Sequence, residues 1–268
     1  MPSIVTSRLV QPAPRIGEPV AAPARRLSAV SIAVAGAWLI SIVALATGNA
    51  ALLHHHSLIE GGPPLWVGVP LFLLGWQVMV AAMMLPASLP TIYVARSAMR
   101  HLPRPGLAQA AFLSAFALVW TIFGLLAFTG DLALHHLVDA TPWLAARPWL
   151  IEASVLALAG AYQFAPLKRR SLAACRHPEG LLPAGSSPEH GWLRPGLDHG
   201  LACLGSSWAL MLLMFAEGFA NLGWMAALTA LMVYEATGPR GERAARASGV
   251  VLFLAALTVL SGPLPGTV

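Results

Sequence analysis

Charge is what this chain has least of. Only 10% of its 268 residues are Asp, Glu, Lys or Arg, against about 25% in an ordinary soluble domain. With 57% of the residues hydrophobic, there is more apolar surface than one water-excluded core can hide, and the excess must face lipid. Cysteine is almost missing: Cys175 and Cys203 are the two present. Both fall on the side assigned below to the cytoplasm, which argues against a disulfide framework. No GxxxxGK[ST], GxGxxG, GxSxG or HExxH pattern occurs, so ATP-driven pumping by this chain alone and conventional hydrolysis are not expected. The net charge of +5 would suggest nucleic acid in a soluble protein. Here the cations flank apolar segments, so they are read as topology signals and headgroup contacts, with no nucleic-acid partner.

What is there is a series of apolar segments: Leu27–Thr47, Leu65–Pro86, Leu107–Thr129, Trp149–Pro166, Leu197–Gly218, Leu222–Ala236 and Ala247–Gly262. A spanning helix needs about 20 apolar residues. The expected architecture is an all-α, polytopic transmembrane bundle of about seven spans, with six as the alternative because several segments are short. All but Arg147 of the 16 Lys and Arg residues lie in the N-terminal arm or in the loops after segments two, four and six. The positive-inside rule then puts the N-terminus in the cytoplasm, with the chain multi-pass in the cell or inner membrane and the bilayer as its solvent.

The expected organisation is a disordered basic arm over 1–26, a helical membrane domain over 27–262 and a short tail over 263–268. A cytoplasmic loop is expected at about 167–196, where Pro, Gly and Ser gather. A basic arm before an apolar stretch has the order of a signal peptide, but 21 apolar residues suit a retained anchor better.

The second segment carries the most specific pattern, GWQVMVAAMMLPASLP from Gly75 to Pro90. Helical spacing puts Trp76, Met79, Met83, Pro86 and Pro90 in one stripe of about 80°. Gln77 and Met84 share the neighbouring face. Pro86 removes the donor to the Ala82 carbonyl, so a kink or break is expected, with the freed carbonyl partnered by another helix or a wet cavity. Thioether sulfur is a soft ligand that favours Cu(I), and Met79 and Met83 stand one turn apart. Methionine is also an adaptable packing residue, so the spacing alone leaves ligation and core packing both open.

The stretches GWQVMVAAMMLPASLPTIYVARSAMR, AYQFAPLKRRSLAAC and GLDHGLACLGSSWALMLLMFAEGFANLGWMAAL resemble a bacterial family described as predicted metal-binding integral membrane proteins. The resemblance spans most of residues 70–250. It implies a polytopic fold and candidate metal ligands at Met79, Met83, Met84, Cys175 and Cys203. Members of that family often carry further cysteines where this chain has Ser171, Ser206 and Ser207. A hydroxyl is a far poorer soft-metal ligand than a thiolate.

Polar groups inside or beside the segments extend the list. Cys203, Ser206, Ser207, Leu210, Met214 and Glu217 align on one face of segment five, either as a close-packing face or as part of a site. Glu152 and Glu217, near the outer boundary, are candidate proton or cation relays. On the expected outer side, His54, His55 and His56 follow segment one, and His135 and His136 follow segment three. Asp131, His135 and Asp139 would share a face of a helical extension, and imidazole with carboxylate at that spacing can chelate copper or zinc.

Three functions fit these features. One is copper handling or delivery in the membrane, with a copper ion as ligand. Another is transport of a different small solute. The third is an accessory or scaffold subunit bound to another membrane protein. An enzyme has no support in the sequence beyond the candidate ligands.

Overall fold

The computed structural model describes residues 29–47, 64–177, 189–217 and 221–261. Among these residues there is no strand. The helices are α1 (Ala29–Ala46), α2 (Leu65–Met99), α3 (Pro105–Ala140), the short α4 (Pro142–Ala145), α5 (Trp149–Tyr162), α6 (Pro166–Arg176), α7 (Leu193–Glu217), α8 (Leu222–Thr237) and α9 (Gly241–Leu260). A 3-10 turn, Glu189–Trp192, leads into α7. The all-helical bundle expected from the sequence is present.

Five helices (α1, α2, α3, α7 and α9) are long and apolar enough to cross a membrane, or six if the pair α5 and α6, bent by 62°, is one broken span. With 16 residues, α8 is short of the about 20 that a straight crossing needs. The outside of the bundle is apolar, with Leu74, Leu126 and Val251 each more than 60% exposed. Helices α2 and α3 have 35 and 36 residues, near 50 Å each at about 1.5 Å per residue. They therefore run well past the apolar segments that marked them. Residues 167–176, expected from sequence to be loop, belong to α6, which packs along α7.

Helix α2 contacts α1, α3 and α8 and touches α7. It is one continuous helix through Pro70, Pro86 and Pro90. The carbonyl that Pro86 leaves without a backbone donor is partnered from outside: the Trp38 indole Nε1 of α1 donates to the Ala82 oxygen at 3.1 Å. Two more side chains tie α2 to α3. Trp76 Nε1 donates to the Trp120 carbonyl at 2.8 Å. Gln77 Nε2 donates to the Ala117 carbonyl and the Thr121 hydroxyl at 3.1 and 2.7 Å.

Replacing Trp38 with Phe should destabilise the protein by about 1–3 kcal/mol, the cost of an unsatisfied buried acceptor. In a Pro86→Ala background the backbone donor returns and that penalty should shrink. A double-mutant cycle read by thermal melting in detergent checks this. Equal Trp38→Phe effects in both backgrounds would show that the indole does not serve this carbonyl.

Small residues set the other helix pairs. Gly160 of α5 faces the backbone of Gly249 in α9, and Gly205 of α7 faces Ser171 of α6. Such pairs let helix backbones approach closely. A buried cluster of Val30, Ile92, Ala95, Met99, Phe112 and Trp192 joins the start of α1, the end of α2, the start of α3 and the 3-10 turn. Those are ends that carry Arg96, Arg100, Arg104 and Arg194.

Candidate metal site

Four helices converge on one small cavity. It has a volume of about 10 Å³, room for a single water-sized guest. Met84 and Ser88 come from α2, His199, Cys203, Ser206 and Ser207 from α7, Leu172 and Cys175 from α6, and Met232 and Glu235 from α8.

Helix α6 reaches this place because the chain turns sharply after α5. The Tyr162 hydroxyl donates to the Gly205 carbonyl at 2.5 Å, and Pro166 opens α6 at a position where no amide donor is needed. At the other end of α6, Arg176 donates to the carbonyls of Glu235 and Gly238, both at 2.8 Å. A guanidinium there satisfies the last carbonyls of α8 and complements its dipole. Between these ties, Lys168 Nζ meets Glu235 Oε2 at 2.5 Å, with both side chains at most 2% exposed.

The donors are soft and close together. Met84 Sδ lies 3.9 Å from Cys203 Sγ and 3.4 Å from the Ser207 hydroxyl. Cys203 Sγ is 3.8 Å from the Ser88 hydroxyl, and Cys175 Sγ is 4.0 Å from that of Ser206. Two sulfurs each about 2.3 Å from one metal ion stand about 3.8 Å apart at a tetrahedral angle, so the Met84–Cys203 spacing suits joint ligation. The Ser206 and Ser207 hydroxyls also donate to the Cys203 carbonyl at 2.8 and 2.7 Å, the backbone bonding expected of serines on a packing face. The two cysteines are free thiols. Among the described residues, no three His, Cys, Asp or Glu side chains converge as a metal site; the donors that gather here include thioethers.

Of the residues singled out from sequence, Met84, Cys175 and Cys203 meet at this cavity. Met79 and Met83 do not line it; both are buried in the core with Phe72, Trp76 and Met214. Of the serines singled out from sequence, Ser206 and Ser207 line the cavity and Ser171 sits against Gly205 at the α6–α7 contact.

Asp131, His135 and Asp139 lie on one helical face, because α3 continues to Ala140. His135 Nδ1 is 2.9 Å from the Asp131 carbonyl and 3.6 Å from its carboxylate. His136 is exposed nearby. His54, His55 and His56 lie outside the described residues, as does the side chain of Glu217. Glu152 is exposed in the first turn of α5, where a carboxylate favours the helix N-terminus.

Sequence reasoning passed over His199, Met232, Glu235 and Lys168. The available signal was an imidazole one turn before Cys203 and a carboxylate within segment six, since ionisable groups inside apolar spans mark function by default.

No curated protein and no solved structure matches the chain. A family model described as copper chaperone, PpoB2, matches residues 73–259. That range takes in every helix from α3 to α8, most of α2, nearly all of α9, and all residues lining the cavity. The chain therefore belongs to this copper chaperone family.

Proposed function

We propose that the chain is a multi-pass protein of the cell membrane that holds Cu(I) at the Met84–Cys203 sulfur pair and passes it to a recipient protein. The observation that carries this reading is the 3.9 Å spacing of those sulfurs in a buried cavity of a copper chaperone family member. A thiolate and a thioether together select Cu(I) over harder ions. The thiolate charge would neutralise the cation, so the loaded site adds no net charge to the bundle interior. Under the positive-inside orientation, the cavity lies toward the cytoplasmic end, beside Lys168 and Arg176, which both contact Glu235. Copper taken up or released there would exchange on the cytoplasmic side.

Elemental analysis of the detergent-solubilised protein after growth with added copper tests this. Near-stoichiometric copper is expected in the wild type and in Met79→Leu. It should be largely lost in Cys203→Ser and in Met84→Leu. A wild type that binds no copper would sink the reading and favour an accessory subunit, which predicts instead that a partner co-purifies and that all three variants are tolerated.

A further inference from the structure

The sulfur pair leaves His199 unexplained. Its side chain is 1% exposed, and neither ring nitrogen has a hydrogen-bond partner among the described residues. Buried polar groups are nearly always satisfied, and an orphaned one calls for an unseen partner. The ring is not loosely held. It is stacked on Phe112 and Phe116, with ring centroids 5.8 and 5.5 Å away and planes within 18° and 21° of parallel. A phenyl ring would fill that slot without the penalty of burying two unpaired nitrogens, so packing alone does not account for a histidine here. His199 lies one helical turn before Cys203 on the same face of α7. It lines the same cavity as Cys203 and Met84.

We propose that His199 supplies a nitrogen ligand to the ion held by Cys203 and Met84, making the site mixed sulfur–nitrogen instead of all-sulfur. The proposal rests on the copper reading of this cavity. Neutral imidazole is a good copper ligand. In many sites a hydrogen bond to the second ring nitrogen fixes the imidazole; here the two aromatic faces do that orienting. An uncharged third donor adds coordination without adding a second thiolate and its charge.

The test uses the full chain in detergent, loaded with Cu(I) alone. X-ray absorption should find one nitrogen or oxygen scatterer beside sulfur in the wild type and sulfur only in His199→Phe, a change that keeps the aromatic stack. Competition with a Cu(I) chelator should show His199→Phe weakened by at least about tenfold, since even an outer-shell partner has an effect of that size. Copper bound by sulfur alone in the wild type would overturn the proposal and leave the copper reading standing. A wild type that takes up no Cu(I) would remove both. Should His199→Phe not fold, the wild-type spectrum still decides, because an imidazole ring gives a multiple-scattering pattern that the hydroxyls of Ser88, Ser206 and Ser207 do not.

Discussion

Replacing Lys168 with alanine is expected to destabilise the protein by about 3–5 kcal/mol, because it strands a buried carboxylate. Lys168 Nζ and Glu235 Oε2 are 2.5 Å apart and both side chains are almost wholly enclosed. The other carboxylate oxygen of Glu235 has no partner among the described residues, so the ammonium is the main compensation for this charge. Glu235→Ala should cost a similar amount by stranding the ammonium. Removing both charges with Lys168→Met and Glu235→Leu should recover most of the loss, since an apolar pair of similar volume needs no compensation. Thermal melting in detergent, followed by tryptophan fluorescence, checks all three variants. A Lys168→Ala protein as stable as wild type would mean that the pair is not formed. The same variant bears on the site, because Glu235 lines the cavity and Lys168 sits on the helix that carries Cys175.

The second large effect is expected at Gly196. A β-carbon there would fall against the carbonyl oxygen and Cα of Phe112 and the β-carbon of Ala115. Most of those atoms are α3 backbone, which cannot swing aside. Gly196→Leu should force α3 and α7 apart, an overpacking cost of about 1–3 kcal/mol or more. The displaced helix carries His199 and Cys203, so copper binding should fall with it. Gly200→Ala should be milder, because the nearest obstacle is the end of the Val119 side chain. Gly36→Ala in α1 meets nothing within 4 Å. It should be neutral or stabilising by up to about 1 kcal/mol, the difference in helix propensity. Melting temperatures in the order Gly36→Ala, Gly200→Ala, Gly196→Leu, from highest to lowest, are expected. A Gly196→Leu protein with wild-type melting and copper content would show that the α3–α7 contact is not as close as described.

Much of the helical order was legible because hydropathy is a local sum along the chain. The segments beginning at Leu65 and Leu107 mark α2 and α3, yet both helices outrun their apolar stretches, because a helix continues into polar sequence as long as nothing breaks it. Pro86 correctly implied an orphaned Ala82 carbonyl, but the identity of its donor, Trp38, depends on how α1 lies on α2. Lys168 read as a water-exposed loop cation. It is buried because α6 folds back onto α7 and α8, and no pattern within residues 166–176 announces that. His199 and Glu235 lay near the ends of apolar segments, where a polar side chain ordinarily reaches water. Packing closes that route: α3 stacks Phe112 and Phe116 on His199, and α6 brings Lys168 onto Glu235.

Charge and apolar content are counted residue by residue, so a helical, lipid-compatible chain with its cations gathered at alternate turns could be read from composition and order alone. Family resemblance placed Met84, Cys175 and Cys203 among the candidate ligands. Which of them meet was decided by tertiary structure alone. Met84 and Cys203 are 119 residues apart, and Lys168 and Glu235 are 67 apart. Helical periodicity orders side chains around one axis and carries no information about which axes lie side by side.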